Sequence, residues 1–199
     1  MHSRGFTLVE MLAVITISAI LVALALPSFR SIVRSSQISS TSNDLLASID
    51  LARSEAIRRN VTVSVCRSLN PENVAPVCSS AAANGYAAND WSSGWITFAK
   101  AAANINNALV EAGDEIIARR PPPAGPTPER LIVESTLPNP QQLAYFSNGL
   151  ANGGNLGTFF IDYRDVQVAV RSVQARCLAI NFTGRARVAV VVNDACPAA

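Results

Sequence analysis

The side chains best suited to bind a ligand are two arginines near the C-terminal end, Arg185 and Arg187. They lie in the segment Gly184-Arg185-Ala186-Arg187, at the start of an alternating apolar run that predicts a β-strand. On a strand both side chains point to the same face, about 7 Å apart, which is close to the step between phosphates along one nucleic-acid strand. Such a pair would bind phosphates in a sequence-independent and salt-sensitive way. The alternative is a solvated strand edge whose charges discourage aggregation.

The segment around these arginines is positively charged, although the chain as a whole is nearly neutral. The formal net charge is only +2, which gives no general electrostatic argument for nucleic-acid binding. Between Tyr163 and Val192, however, several arginines face a single acidic residue, Asp165. We therefore consider Arg171 and Arg176 as further candidates for the same phosphate-binding site. The arginines of the segment are Arg164, Arg171, Arg176, Arg185 and Arg187.

A single carboxylate, Glu10, lies near the start of the apolar stretch from Phe6 to Leu26. This stretch is long enough to cross a bilayer as a helix, which takes about 20 residues. A carboxylate inside a membrane segment costs roughly 2.5 kcal/mol or more, so Glu10 is interpreted as functional. A simple membrane anchor with a chance glutamate is the alternative.

A long N-terminal helix is predicted from about Phe6 to Arg59, which corresponds to about 80 Å. Pro27 would kink this helix without ending it. The first half is apolar all round, whereas the second half has an apolar stripe and ion pairs on its exposed side. The serine-rich patch Ser35 to Ser42 is expected to fray or bend. The stripe consists of Leu45, Leu46, Ile49, Ala52, Ala56 and Ile57, and the ion pairs are Asp50–Arg53 and Glu55–Arg59.

Beyond Asn60 the apolar pattern changes from the helical period to alternation, which predicts strands. The expected fold class is therefore α+β, with the helix packed on a mostly antiparallel sheet or on two small sheets. Asn70–Asn89 and the proline-rich Pro121–Pro128 are predicted loops, and Trp91 and Trp95 are predicted core residues. The predicted strands lie in Val61–Cys66, Trp91–Phe98 (after a turn), Ile116–Arg119, Leu131–Ser135, Leu143–Ser147, Gly157–Tyr163, Ala175–Phe182 and Arg185–Val192.

The four cysteines are spaced too widely for a zinc knuckle, and three disulfide connectivities are possible. We favour Cys66–Cys78 and Cys177–Cys196, because each pair is local and brackets a loop or hairpin. Disulfides of this kind would persist in an oxidising compartment such as the periplasm. Free buried thiols are the alternative.

The first ten residues resemble a class III signal of type IV prepilins, with Met1-His2-Ser3-Arg4-Gly5 followed by Phe6-Thr7-Leu8-Val9-Glu10. This resemblance implies that a prepilin peptidase cleaves the chain after Gly5. It also implies that the new N-terminal residue, Phe6, is N-methylated. Glu10 would then help to dock the subunit among other pilins in a helical filament.

The chain as a whole resembles the GspH/FimT family of type IV pilin-like proteins. The residues that carry the resemblance are Leu51-Ala52-Arg53-Ser54-Glu55-Ala56, the Trp91-x-x-Gly94-Trp95 arrangement, and Gly184–Arg187 framed by Cys177 and Cys196. Because G-R-x-R is the DNA-binding motif of FimT minor pilins, the resemblance implies non-specific binding of double-stranded DNA for uptake. The family also contains purely structural members, namely pseudopilin H of type II secretion and FimU-like subunits that prime pilus assembly. The segment Asn70–Pro140 departs most from the family.

The resemblance divides the chain into a prepilin leader (1–5), a transmembrane half-helix (6–27), an amphipathic half-helix (28–60) and a β-rich periplasmic head (61–199). It implies a single-pass protein of the inner membrane that enters a pilus or pseudopilus after assembly. Arg30 and Arg34 would lie on the periplasmic side, against the positive-inside rule, so this topology rests on the leader and the family.

Enzymatic chemistry is not expected. The only histidine, His2, lies in the expected leader, which excludes catalytic triads that need histidine and histidine metal sites from the mature chain. The acidic pairs Asp114/Glu115 and Asp162/Asp165 could hold calcium, but neither lies in a recognisable ligand loop. We therefore expect no metal, no cofactor and no catalytic residue. A membrane-anchored periplasmic enzyme is the remote alternative.

Overall fold

The computed structural model describes residues 7–101, 110–111, 113–123, 130–138, 142–151, 157–164 and 174–197. The chain divides into two compact units, Met1–Ser36 and Gln37–Ala199. The elements are helix α1 (Leu8–Arg59), a short 3-10 helix (Trp91–Ser93), and strands β1 (Val63–Arg67), β2 (Trp95–Ala99), β3 (Glu115–Arg120), β4 (Arg130–Ser135), β5 (Gln142–Tyr145), β6 (Gly157–Arg164), β7 (Arg176–Ile180) and β8 (Ala186–Val190).

The first unit consists of the N-terminal part of α1. Within the described residues, α1 is the one helix whose length and apolar composition would suit a membrane span. The large apolar side chains described between Leu8 and Leu24 are exposed, as are those of Phe29 and Ile32. The helix continues through Pro27, as predicted.

The second unit contains two four-stranded antiparallel sheets. Their strand orders are β3-β2-β1-β5 and β4-β6-β7-β8. The predicted α+β class is therefore confirmed, with two sheets rather than one. The strand predictions are within a few residues of the observed bounds. All five residues of β1 are buried, because β1 is a central strand covered on both faces.

The C-terminal part of α1 packs most of its predicted stripe into the main core, but the prediction is wrong for Ile57, which is 53% exposed. Leu45, Ile49, Ala52 and Ala56 are at most 1% exposed. Trp91 packs edge-on against Phe159, with ring centroids 4.9 Å apart. The indole N–H of Trp95 donates a hydrogen bond to the Ser48 hydroxyl at 2.9 Å, which satisfies the polar end of a buried aromatic side chain.

Two expectations about α1 are corrected by tertiary contacts. The serine-rich patch Ser35 to Ser42 is helical rather than frayed, because Ile38, Thr41 and Ser42 are buried against the rest of the second unit. The predicted Asp50–Arg53 ion pair is wrong, since the Arg53 Nε–H donates instead to the Gly149 carbonyl at 3.1 Å. The other predicted pair is present, with 2.5 Å between Arg59 Nε and a Glu55 carboxylate oxygen.

Both disulfides have the local pairing that the sequence favours, Cys66–Cys78 and Cys177–Cys196. The first fixes the loop after β1 on the outer face of its sheet. Next to it, the fully buried Arg67 donates to the carbonyl oxygens of Asp90, Ser79 and Ala81, which hold the same loop in place. The second disulfide ties the C-terminal segment to β7.

A buried ion pair joins the end of β2 to the start of β3. The Lys100 ammonium lies 2.8 Å from an Asp114 carboxylate oxygen, and the two side chains are 2% and 3% exposed. The Asp114 carboxylate also accepts the backbone N–H groups of Ala101 and Glu111, each at 2.9 Å. Burial acts to raise the pKa of Asp114, but the hydrogen bonds from Lys100, Glu111 and Ala101 outweigh it and hold that pKa below its ordinary value.

Asp114→Asn is expected to lower the free energy of unfolding at neutral pH by about 3 kcal/mol, because it removes the carboxylate closest to the buried Lys100 ammonium and leaves the more distant Glu111 carboxylate, at 3.4 Å, to compensate that charge. In the native chain the pKa of Asp114 is lower in the folded state than in the unfolded state. Its stabilisation is therefore complete above the unfolded pKa, about 3.9, and is lost as the pH falls through the folded value. Urea unfolding of the detergent-solubilised chain, followed by fluorescence of the buried tryptophans, measures both effects. An equal acid-induced loss of stability in the variant would contradict this assignment.

Candidate functional site

Strands β7 and β8 form a hairpin whose tip, residues 181–185, carries the predicted arginine motif. The Gly184 N–H donates to the Asn181 carbonyl at 2.9 Å, and the Asn181 N–H donates to the Arg185 carbonyl at 3.1 Å. Gly184 has φ +78°, so the tip has the form of a three-residue hairpin loop with a glycine bulge. The Asn181 side-chain oxygen accepts hydrogen bonds from the Arg185 N–H and the Thr183 hydroxyl, at 3.0 and 2.6 Å. These bonds fix the backbone that carries Arg185.

The glycine of the motif is required by packing. A Cβ at Gly184 would lie 2.7 Å from Tyr145 Cε1 and 2.8 Å from the Gly149 carbonyl oxygen. The Tyr145 hydroxyl donates to the Gly184 carbonyl at 3.0 Å, and burial raises the pKa of Tyr145, so the hydroxyl remains a donor at neutral pH. Arg53 of α1 binds the Gly149 carbonyl from the other side. The helix, the turn after β5 and the hairpin tip therefore hold one another in position.

Arg185 and Arg187 are both exposed. Arg187 pairs with Ala179 of β7, and strand alternation places Arg185 on the same face, about 7 Å away. Elsewhere in the described part of the chain, Arg58, Arg59, Arg120 and Arg130 form ion pairs with carboxylates. No described carboxylate is paired with either arginine of the motif, so both are available for an anionic ligand.

The structure does not bring Arg176 to the same face. Arg176 pairs with Val190, and this register places it on the face that carries Leu178 and Ile180, opposite to Arg187. Its guanidinium donates to the Gln174 carbonyl at 3.2 Å. Arg171 lies outside the described residues. The candidate site therefore consists of Arg185 and Arg187.

Phe182 occupies the second position of the hairpin tip, where it is 65% exposed. The sequence predicts a strand that extends to Phe182, whereas the observed strand β7 ends at Ile180. The turn hydrogen bond that closes on Asn181 moves it out of the sheet instead. No sequence signal separates these two outcomes, because they depend on where the hairpin turns.

Glu10 lies in the first turn of α1 and forms a capping box with Thr7. The Thr7 N–H and hydroxyl donate to one Glu10 carboxylate oxygen at 3.2 and 3.3 Å, and the Glu10 N–H donates to the Thr7 hydroxyl at 3.3 Å. The carboxylate therefore satisfies a backbone donor at the start of the helix. The predicted cleavage and methylation residues, Gly5 and Phe6, lie outside the described residues.

The acidic pairs considered for calcium are separated by the fold. The Asp114 carboxylate is occupied by Lys100 and two backbone N–H groups, and the neighbouring Glu115 pairs with Arg59 at 2.6 Å. Asp162 is buried in β6, and Asp165 lies outside the described residues. Among the residues with described positions, no group of three His, Cys, Asp or Glu side chains is arranged to hold a metal ion.

Comparisons with known proteins agree with this architecture. The family model described as type II transport protein GspH matches residues 41–184, and the model of the prokaryotic N-terminal methylation motif matches residues 1–26. The type IV minor pilin FimU of Pseudomonas aeruginosa PAO1 superposes with a TM-score of 0.50 and 17% identity, over 77% of this chain and 89% of FimU. A second crystal form of FimU matches at 18% identity, over 76% of this chain and 91% of that one, with a TM-score of 0.46. No curated protein sequence matches significantly.

The family match covers most of the second unit, from residue 41 of α1 to Gly184, and ends before Arg185 and Arg187. The methylation motif covers the predicted leader and the apolar run with Glu10. The likeness to FimU supports the same fold of a long N-terminal helix with antiparallel sheets. The chain therefore belongs to the GspH/FimT family of type IV pilin-like proteins, as a membrane-anchored minor pilin or pseudopilin that assembles with other pilins in a filament.

Proposed function

We propose that this filament subunit binds DNA through Arg185 and Arg187 and serves DNA uptake. The observation that carries the proposal is a preorganised pair of exposed arginines on one face of the β7–β8 hairpin, neither of them paired with a described carboxylate. Contacts of this kind bind phosphates irrespective of base sequence. The proposed ligand is therefore DNA bound without sequence preference, with the phosphates of double-stranded DNA accessible to both arginines.

The proposal includes the route by which the subunit reaches the filament. A prepilin peptidase cleaves after Gly5 and Phe6 becomes N-methylated. Residues 6–27 cross the inner membrane, residues 28–60 form the amphipathic half of the helix, and residues 61–199 form the periplasmic head. Glu10 pairs with the N-terminal amine of a neighbouring subunit, because two opposite charges in an apolar filament core are tolerated better together than singly.

The experiment compares DNA binding by the detergent-solubilised native chain with binding by Arg185→Ala/Arg187→Ala over a range of salt concentrations. Loss of two phosphate contacts is expected to weaken duplex binding about 60-fold at about 0.1 M salt and to reduce the slope of log K against log salt by about 1.8. The matched control is Arg119→Ala/Arg120→Ala, which removes two exposed arginines from β3 in the other sheet.

The control variant is expected to bind duplex DNA like the native chain, apart from a small loss from the reduced net charge. Equal weakening in both double variants would show that net charge alone governs binding. That outcome, or an absence of binding by the native chain at low salt, would refute the DNA proposal.

A purely structural role is the second candidate, favoured by the family description as a type II transport protein. In this role the chain contacts only protein, as a pseudopilin of type II secretion or as a FimU-like subunit that primes pilus assembly. Neighbouring genes for secretion or for a pilus distinguish these systems. In either role we infer no enzymatic activity, and hydrolysis of a substrate by the purified chain would revive the enzyme alternative.

A further inference from the structure

We propose that Phe182 stacks on an unpaired base, so that the hairpin tip binds single-stranded DNA more tightly than duplex DNA. This inference rests on the proposed DNA-binding function and specifies the form of its ligand. It starts from the observation that Phe182 lies within the same five-residue tip as Arg185 and presents 65% of its surface to solvent.

The exposure of Phe182 is imposed by a rigid turn. The turn is closed by the Gly184 N–H on the Asn181 carbonyl, and the Asn181 side chain holds Thr183 and Arg185. Tyr145 anchors the tip through the Gly184 carbonyl. An apolar ring held in water by a fixed backbone loses little conformational freedom when a flat partner covers it.

The chemistry next to the ring identifies that partner. Arg185 and Arg187 are two residues apart on one face, a spacing close to that between successive phosphates of one strand. Proteins that bind single strands combine such a cationic track with aromatic side chains on which bases stack. Every base offers a π-face, so this contact adds affinity without sequence preference.

Double-stranded DNA can contact the two arginines but not Phe182. Its phosphates are available to Arg185 and Arg187, but its bases are stacked inside the helix. For Phe182 to reach a base it would have to unstack a step, which costs a few kcal/mol. The arginines therefore bind both forms of DNA, whereas Phe182 adds affinity only for the single strand or for a frayed end.

The test titrates the detergent-solubilised full chain with a labelled oligothymidylate and with a blunt-ended duplex of equal length. Phe182→Ala is expected to weaken binding of the single strand about tenfold and to leave duplex binding unchanged. Phe182→Trp should retain the native preference, whereas Phe182→Leu, which keeps an apolar side chain without a π-face, should resemble the alanine variant. Val192→Ala is the matched control, because Val192 is an exposed apolar residue outside the tip.

The outcomes separate this inference from the proposed function. If Arg185→Ala/Arg187→Ala abolishes binding of both DNAs but Phe182→Ala changes neither, the proposed function stands and the stacking inference is refuted. Native affinity for the single strand in Phe182→Leu, or equal weakening of both DNAs in Phe182→Ala, also refutes stacking. If the native chain binds neither DNA, both proposals fail.

Discussion

A Glu10→Leu variant is expected to remain in the membrane fraction but to be almost absent from the filament. Leucine preserves the apolar run and the helix, so the segment still inserts. The variant removes the carboxylate that we propose to pair with a neighbour's N-terminal amine, which leaves that amine buried without a partner. Breaking a buried pair in this way costs about 3 kcal/mol or more at each subunit contact. Immunoblots of sheared filaments and of washed membranes measure the distribution.

Two control variants separate filament docking from helix capping. Thr7→Val removes the hydroxyl of the capping box but retains the Glu10 carboxylate, so near-normal incorporation is expected. Glu72→Leu makes the same chemical change at an exposed acid of the second unit and should have no effect. Unimpaired incorporation of Glu10→Leu into the filament would refute the docking role of Glu10. A strong incorporation defect in Thr7→Val would show that assembly depends on the capping box instead.

Gly184→Ala is expected to lower the free energy of unfolding by about 4 kcal/mol and to abolish the phosphate-binding geometry. Its Cβ would lie 2.7 Å from the Tyr145 ring and 2.8 Å from the Gly149 carbonyl oxygen. A positive φ adds strain of about 1 to 3 kcal/mol, and forced repacking adds a similar amount. Urea unfolding and DNA titration of the same preparation measure the two effects.

Gly85 provides a matched control for the backbone strain. Its φ is +79°, almost equal to that of Gly184, but a Cβ there would meet nothing within 4 Å. Gly85→Ala should therefore cost only about 1 kcal/mol and leave DNA binding intact. Equal destabilisation by the two substitutions would mean that positive φ alone, rather than contact with Tyr145 and Gly149, requires glycine in the motif.

The architecture could be predicted from the sequence because its signals are local. The helical stripe of Leu45, Ile49, Ala52 and Ala56 and the apolar runs that predict strands depend on neighbouring residues, and the structure confirms both the stripe and the strands. The local disulfide pairing is also confirmed. The strand β1 was predicted but its burial was not, because burial on both faces depends on elements from distant parts of the chain that pack above and below the sheet.

The candidate site was predicted only in part. The motif Gly184–Arg187 and its place in a hairpin are visible in the sequence, since a Thr-Gly turn between two apolar runs is a local signal. The separation of Arg176 from Arg187 depends on strand register, which sets the face of every side chain. The exposure of Phe182 depends on the residue at which the hairpin turns.

By itself, the sequence determined an apolar N-terminal helix with one carboxylate at a fixed position, an α+β fold and a pair of arginines two residues apart beside a hairpin turn. These features follow from the spacing of residue types along the chain. Only the tertiary structure decided that Arg53 binds Gly149 rather than Asp50, and that Tyr145 occupies the space beside Gly184. Only the tertiary structure shows that Lys100 forms an ion pair with Asp114 in the interior. The physical reason is that such contacts join residues distant in sequence, whose approach is set by the packing of whole elements.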